Sequence, residues 1–307
     1  MKAVVINKFG GNDAVEVKDM PNPVAGPGEV LIKVRAASVN PIDWKIRRGL
    51  LESALKKKFP LPLGRECSGE VAETGQSVTR FKKGDHVIAV LNIISLGSFA
   101  EYVAVPGQSV YPKPKNISFE EAATLPIAGL TALRALRDAG GIKNGMKVAI
   151  IGAAGGVGHF AVQIAKVFGA EVTAVNKSVH AEFVKSLGAD RVSDYTEEDF
   201  TRSGEKYDII FDAVTKRNFA ECKDALTGNG VYVSTLPVTG PIQEQGKQAR
   251  AVSGRPTQED MQWMKERIEE GRIKIAVKKV FPLDRAGDAL AESETGQASG
   301  KLVLKAA

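Results

Sequence analysis

The sequence predicts an α/β protein of two domains, a β-barrel-like domain followed by a doubly wound parallel sheet with helices on its faces. Three observations carry this expectation. Residues 1–116 hold short β segments punctuated by glycine and proline; from Ser118 onward helical and strand segments alternate; and residues 147–176 read as strand, glycine turn, helix and second strand.

In the first part, residues 2–7, 15–18, 29–38, 67–74, 86–91 and 100–106 are rich in β-forming residues, some alternating with period two. Pro21, Pro23, Pro27, Gly84 and Gly107 stand between them. Ser118-Phe119-Glu120-Glu121 has the spacing of a capping box and opens the helical part. After the central unit come a helix over 181–187, strands over 191–193, 207–214 and 231–236, and a helix over 219–226. A polar, glutamine-rich loop then spans 241–250, and a helix runs over 258–270. The final segment supplies two strands and a short helix and is placed back on the first domain. The expected division is therefore 1–117 completed by 272–307, with 118–271 as the second domain.

A chain of 307 residues buries about three-quarters of its unfolded surface and needs no disulfide staples. Its two cysteines, Cys67 and Cys222, lack metal or disulfide spacing and suit a reducing compartment. No apolar run approaches the roughly 18 residues of a membrane span, and MKAVVINKFGG lacks the apolar core of a signal peptide, so a cytoplasmic protein without membrane segments is expected. The net charge of +6 raises nucleic-acid binding, but the cations are scattered and the run Lys56-Lys57-Lys58 has no interleaved aromatics to stack on bases. A solvated helix face is the plainer reading of that run, and no specific nucleic-acid partner is expected.

The motif with chemistry in it is the glycine turn. The apolar strand Lys147–Ile151 runs into Gly152-Ala153-Ala154-Gly155-Gly156-Val157-Gly158. Val157, Phe160, Ala161, Ile164, Ala165 and Phe168 then recur at three- and four-residue steps and share one face, leaving His159, Gln163 and Lys166 to the other. A pyrophosphate sits on backbone N–H groups at a helix N-terminus only where no Cβ blocks its approach. The spacing meets G-x-G-x-x-G only if Ala153 stands for the first glycine, so the strand before and the helix after carry the reading. The plainer alternative is a turn that needs small residues for packing alone.

The end of the second strand selects the coenzyme. NAD-binding units place an acid there to hold the ribose hydroxyls. Here Asn176-Lys177-Ser178 offers an amide, a cation and a hydroxyl, which suit a 2′-phosphate, so NADPH is expected over NADH. The alternative for Lys177 is an ordinary solvated loop lysine.

A series of segments in this order resembles the zinc-free medium-chain dehydrogenase/reductase superfamily, in its NADPH:quinone oxidoreductase and alkenal (enone) reductase branch. The segments are Asn40-Pro41-Ile42-Asp43 with Gly49, residues 64–71, 81–87, 114–131, 152–169, 187–195 and 207–214, and Gly300-Lys301-Leu302-Val303-Leu304. The resemblance implies a GroES-like barrel domain, a Rossmann domain and a homodimer. Zinc relatives take ligands from a Cys and from the His of a G-H-E segment; here Asn40 and Gly64-Arg65-Glu66 stand in those places. The histidines cannot make up the deficit, with His86 in a barrel strand and His159 expected on an outer helix face, so no metal is expected.

Without a metal, hydride addition to a conjugated carbonyl or quinone needs donors for the charge that collects on oxygen. Asn40, Lys45 and a water or the nicotinamide ribose hydroxyl are the candidates, with Asp43 orienting Lys45 or a solvent proton; Asn40 and Asp43 also suit a simple turn. The resemblance adds Thr131 near the nicotinamide, Tyr195 beside Lys177 at the 2′-phosphate, the backbone of Val214, Thr235 and Leu236 along ribose and nicotinamide, and Lys301 near the coenzyme. A second reading is a non-catalytic NADPH-binding redox sensor or partner-binding protein, since fold does not fix function.

Overall fold

A computed structural model of the chain describes all residues except 56–58, 241, 253–255 and 307. The lysine run at 56–58 therefore lies outside the described residues. The chain forms two compact units, Met1–Ile127 with Val277–Ala307, and Ala128–Ala276. The first unit runs on past residue 117 because Ser68 Oγ donates to the Phe119 carbonyl and the Ile127 N–H donates to Glu66, which tie this stretch to the barrel.

The first unit begins with β1 (Lys2–Ile6), paired antiparallel with β2 (Val15–Asp19). The long strand β3 (Glu29–Val39) follows, then the helix α1 (Pro41–Arg47). A turn is what Asn-Pro suggests; the structure has a helix because Pro41 is preset for its first position and Asp43 accepts the Asn40 N–H at 2.8 Å. The short β4 (Leu61–Pro62) closes a three-stranded sheet β2-β1-β4. Next come β5 (Glu66–Thr74), β6 (His86–Val90), β7 (Tyr102–Pro106), β8 (Val110–Pro112) and α2 (Phe119–Ala122), the last opened by the Ser118–Glu121 capping box.

The second unit opens with α3 (Leu130–Arg134), β9 (Lys147–Ile151), α4 (Gly158–Val167) and β10 (Glu171–Val175). It continues through α5 (Ala181–Ser186), β11 (Arg191–Ser193), β12 (Tyr207–Asp212), α6 (Phe219–Cys222) and β13 (Leu226–Ser234). β14 (Gln243–Glu244), β15 (Lys247–Ala251) and α7 (Gln258–Glu269) complete it. The chain then returns to the first unit as β16 (Val277–Pro282), α8 (Ala286–Glu294) and β17 (Lys301–Lys305).

That return is structural completion. β17 pairs antiparallel with β3, Leu302 opposite Val39, and the sheet runs β16-β17-β3-β5-β6-β8 with β7 also on β3. Leu302 and Leu304 enter the same core as Ile32, Val34, Val87, Phe99 and Val105.

In the second unit the sheet order is β11-β10-β9-β12-β13-β15-β14, parallel throughout except for β14. From β9 the chain steps outward through β10 to β11, then crosses back to β12 on the other side of β9 and continues to β13, so the switch point of the sheet lies beside β9. Two sequence expectations fail here. Residue 241 lies outside the described residues, and 242–250 is no plain loop: β14 turns back into β15, which pairs in parallel with β13, using backbone hydrogen bonds at a polar edge that has no apolar run to advertise it. His159 and Gln163 are buried rather than outward. The Gln163 amide is clasped by the Lys274 backbone, donating to its carbonyl at 2.8 Å and accepting its N–H at 2.7 Å, while the His159 ring packs on Phe160.

Candidate active site

The glycine turn sits at the carboxyl end of β9, at the switch point. Gly152 has φ +76°, and a Cβ there would meet Val214 Cγ1 at 2.5 Å. A Cβ on Gly158 would lie 2.1 Å from the Gly152 carbonyl oxygen, so the first turn of α4 touches the strand end through bare backbone. The Gly155 N–H closes the turn on the Gly152 carbonyl at 2.9 Å. Among the described residues, the N–H groups of Ala154, Gly156 and Val157 donate to nothing in the protein. With α4 behind them they form a cradle for an anion, and the turn fits a dinucleotide pyrophosphate.

The neighbouring loops all leave the same edge of the sheet. The Gly152 N–H donates to the Val175 carbonyl, the Asn176 N–H to the Ser193 carbonyl and the Ala213 N–H to the Ile151 carbonyl, which fixes the strand ends in one row. Val179, Tyr195, Val214 and Leu236 are exposed large apolar side chains on the loops after β10, β11, β12 and β13. Apolar groups left on a sheet's ligand-binding edge suit the flat rings and sugars of a coenzyme. Thr235 is half-buried beside Leu236, whose N–H donates to Ser234 Oγ at 3.1 Å. Thr131 stands on α3, half-buried.

At the second strand end, Asn176 is buried and its Nδ2 donates to the Lys177 carbonyl at 2.9 Å. Lys177, Ser178 and Tyr195 are exposed. The structure adds an acid that the second strand itself does not supply: Asp194, at the end of β11, accepts the Ser178 N–H.

The barrel-side candidates behave differently. Asn40 is buried and spends its whole amide internally: Nδ2 donates to Glu66 Oε1 at 2.7 Å and to the Ser38 carbonyl at 3.3 Å, and Oδ1 accepts Lys301 Nζ at 2.7 Å. Lys301, 261 residues on, also donates to the Val39 carbonyl at 3.2 Å and stands 3.6 Å from Glu66 Oε1. Burial holds its ammonium below the usual lysine range, while the charges of Glu66 and Asp43 act the other way. Both hydrogen bonds of Lys301 lie inside the barrel, whereas the family resemblance puts Lys301 near the coenzyme, and Asn40 has no hydrogen left for a substrate oxygen. Asp43 is fully buried; burial, opposed by the Asn40 N–H, pushes its carboxyl up to about 7, and Oδ1 has no partner among the described residues. Its observed partner is the backbone N–H of Asn40, the residue before α1, not Lys45. Lys45 keeps a partly exposed ammonium 5.6 Å from the centre of the Trp44 ring.

Comparison with known proteins places this geometry. Residues 26–115 match the alcohol dehydrogenase GroES-like domain, and residues 187–304 match a family described as zinc-binding dehydrogenase. A chloroplast envelope quinone oxidoreductase homolog of Arabidopsis thaliana is 37% identical over 99% of this chain and 98% of its own. The chain belongs to the medium-chain dehydrogenase/reductase family. A 2-methylene-furan-3-one reductase of Solanum lycopersicum is 36% identical over 99% of this chain and 79% of its own. The solved Escherichia coli quinone oxidoreductase, complexed with NADPH, superposes with a TM-score of 0.86 at 27% identity, over 99% of this chain and all of that one. Within the medium-chain dehydrogenases/reductases, the chain falls in the quinone oxidoreductase and enone reductase branch.

The zinc in that family description does not fit this medium-chain reductase. An ammonium, Lys301, stands among the oxygen donors of Asn40, Glu66 and Val39, where it uses their lone pairs and repels a second cation. Burial also pushes the neighbouring Cys67 thiol up to about 12, away from the thiolate that zinc requires. Among the described residues no group of three or more His, Cys, Asp or Glu side chains gathers around one point.

Three participants escape a reading of the sequence alone: Glu66, Asp194 and Asp212. Asp212 is a buried carboxylate at the end of β12 that accepts the Val214 N–H at 3.0 Å, the Arg217 N–H at 2.8 Å and the Tyr232 hydroxyl at 3.3 Å, and so shapes the loop over Gly152. An acid closing the apolar run Ile209-Ile210-Phe211 was the available signal.

Proposed function

We propose that this chain reduces quinones and α,β-unsaturated carbonyls with NADPH, without a metal. The observation that carries the reading is the glycine turn with free N–H groups at the switch point of a parallel sheet. The relatives named a quinone oxidoreductase homolog and a 2-methylene-furan-3-one reductase support the substrate class, and the neighbour complexed with NADPH supports the coenzyme.

NADPH supplies a hydride when bound. The chain's part is to hold and to balance charge. The N–H groups of Ala154, Gly156 and Val157 take the pyrophosphate; Lys177, Ser178 and Tyr195 take the 2′-phosphate; and the backbone at Val214, Thr235 and Leu236 lines the remainder. Negative charge gathers on the substrate oxygen as its conjugated carbon is reduced. Of the three barrel-side candidates, Lys45 alone has an uncommitted donor that is partly exposed, since the Asp43 carboxyl is fully buried. Asn40, Asp43, Glu66 and Lys301 then form the rigid support beneath α1.

The test is loss of NADPH absorbance with a benzoquinone and with a 2-alkenal. Turnover of either supports the reading, and coenzyme binding without turnover of any conjugated carbonyl would return the sensor alternative. The proposal includes a homodimer, which sedimentation checks, and a cytosolic setting, which fractionation checks. Among the described residues no helix is long and apolar enough to cross a membrane.

A further inference from the structure

The coenzyme pocket proposed above has an acid in it after all. Asp194 follows β11, and the Asn176 N–H bonded to the Ser193 carbonyl at 3.0 Å holds the ends of β10 and β11 side by side. Its two carboxylate oxygens have different duties. Oδ1 accepts the Thr196 N–H at 2.8 Å and the Thr196 hydroxyl at 2.6 Å, which fills it. Oδ2 accepts the Ser178 N–H at 2.5 Å, and the carboxylate's remaining donor is the Ser178 hydroxyl, a rotatable group on an exposed side chain whose place a ribose hydroxyl can take. The group is partly exposed, between the exposed side chains of Lys177, Ser178 and Tyr195.

We propose that Asp194 is the ribose-reading carboxylate of this pocket, delivered from the third strand, and that it gives the enzyme a working affinity for NADH beside NADPH. The proposal rests on the coenzyme reading above. NAD-binding units place such an acid at the end of the second strand, where it accepts the ribose hydroxyls. Here that strand end carries Asn176-Lys177-Ser178, and the acceptor comes from the adjacent strand to the same loop. The hydrogen bonds from Thr196 above all, and from Ser178, hold the carboxyl well below its usual range, so it is an anion wherever the enzyme works. An anion attracts a ribose hydroxyl and opposes a 2′-phosphate; the Lys177 ammonium does the reverse. The pocket therefore holds one group for each coenzyme.

Calorimetric titration of NADH and NADPH into wild type, Asp194→Asn and Lys177→Met tests this. Wild type is expected to bind both. Asp194→Asn is expected to weaken NADH about tenfold while leaving NADPH unchanged or tighter, and Lys177→Met to weaken NADPH alone by a similar factor. If Asp194→Asn weakens both coenzymes equally, so that their ratio stays within about twofold, the carboxylate only latches the loop and the proposal fails. Should that variant not fold, Asp194→Ser, whose hydroxyl still accepts from Thr196, must give the same change of ratio. Wild type that binds NADPH with no measurable NADH binding overturns this inference alone. Wild type that binds neither overturns the coenzyme reading itself.

Discussion

Lys301 Nζ donates to Asn40 Oδ1 across 2.7 Å, and both side chains are buried. The bond joins the last strand of the chain to the helix start that carries the barrel-side candidates, and Glu66 completes it from a third strand. A closed group of this kind is worth little against an apolar replacement but costs a great deal to break.

Lys301→Met is therefore expected to lose about 3–5 kcal/mol of stability, since it strands Glu66 without its cation. The double variant Glu66→Gln, Lys301→Met removes the stranded charge and is expected to recover most of that loss. Urea unfolding of the three proteins checks both statements; equal stability of single and double variants would show that the ion pair carries no weight.

Lys45 is expected to act in turnover and not in folding. Lys45→Met should lower kcat with a quinone about a hundredfold while the Kd for NADPH and the Tm stay at wild-type values. A variant with unchanged kcat would remove Lys45 from the reaction.

Gly158→Ala places a methyl group 2.1 Å from the Gly152 carbonyl oxygen and 2.7 Å from Ala153 Cα. Backbone must move to admit it, so a loss of about 1–3 kcal/mol is expected, together with weaker coenzyme binding as the N–H groups turn away. Gly228→Ala, with nothing within 4 Å of the new Cβ, is the matched control for measuring NADPH binding.

Asp43 sets a pH dependence whose sign can be worked out. Its carboxyl titrates near 4 in the unfolded chain and at about 7 in the folded one, so between those values the folded state binds more protons. Stability from this group is full below the lower value and falls as pH rises to the upper one. Asp43→Asn keeps an acceptor for the Asn40 N–H and removes the titration. Relative to it, wild type is expected to lose on the order of a few kcal/mol between pH 4 and pH 7 in chemical unfolding. Parallel curves for the two proteins would show that Asp43 stays ionised in the fold.

What was legible in the sequence was what is local. The glycine turn, its strand and its helix lie within thirty residues of one another, and strand period, small residues and helix period agree there. The capping box at Ser118 and Glu121 was readable for the same reason. The bond between Asn40 and Lys301 spans 261 residues, and no pattern along the chain announces it. The helix α1 was hidden by Asn-Pro, which marks turns, although Asn40 and Asp43 three residues apart also have the spacing of a helix start. β15 was missed because KQARA has neither alternation nor bulk, and its pairing comes from the backbone of β13. Asp194 was in view beside Tyr195, but only pairing of β10 with β11 brings it to Ser178.

The hairpin of β14 and β15 has a consequence for assembly. Open sheets tend to recruit a neighbouring molecule along their last strand, and proteins blunt that tendency with very short outer strands. Here the outermost strand is two residues long, and Ile242 extends its cover to Ala249, leaving Arg250 and Ala251 as the bare length of β15. A second molecule joining at this border would gain only a few main-chain bonds, so a stable pair would have to be cemented by side chains.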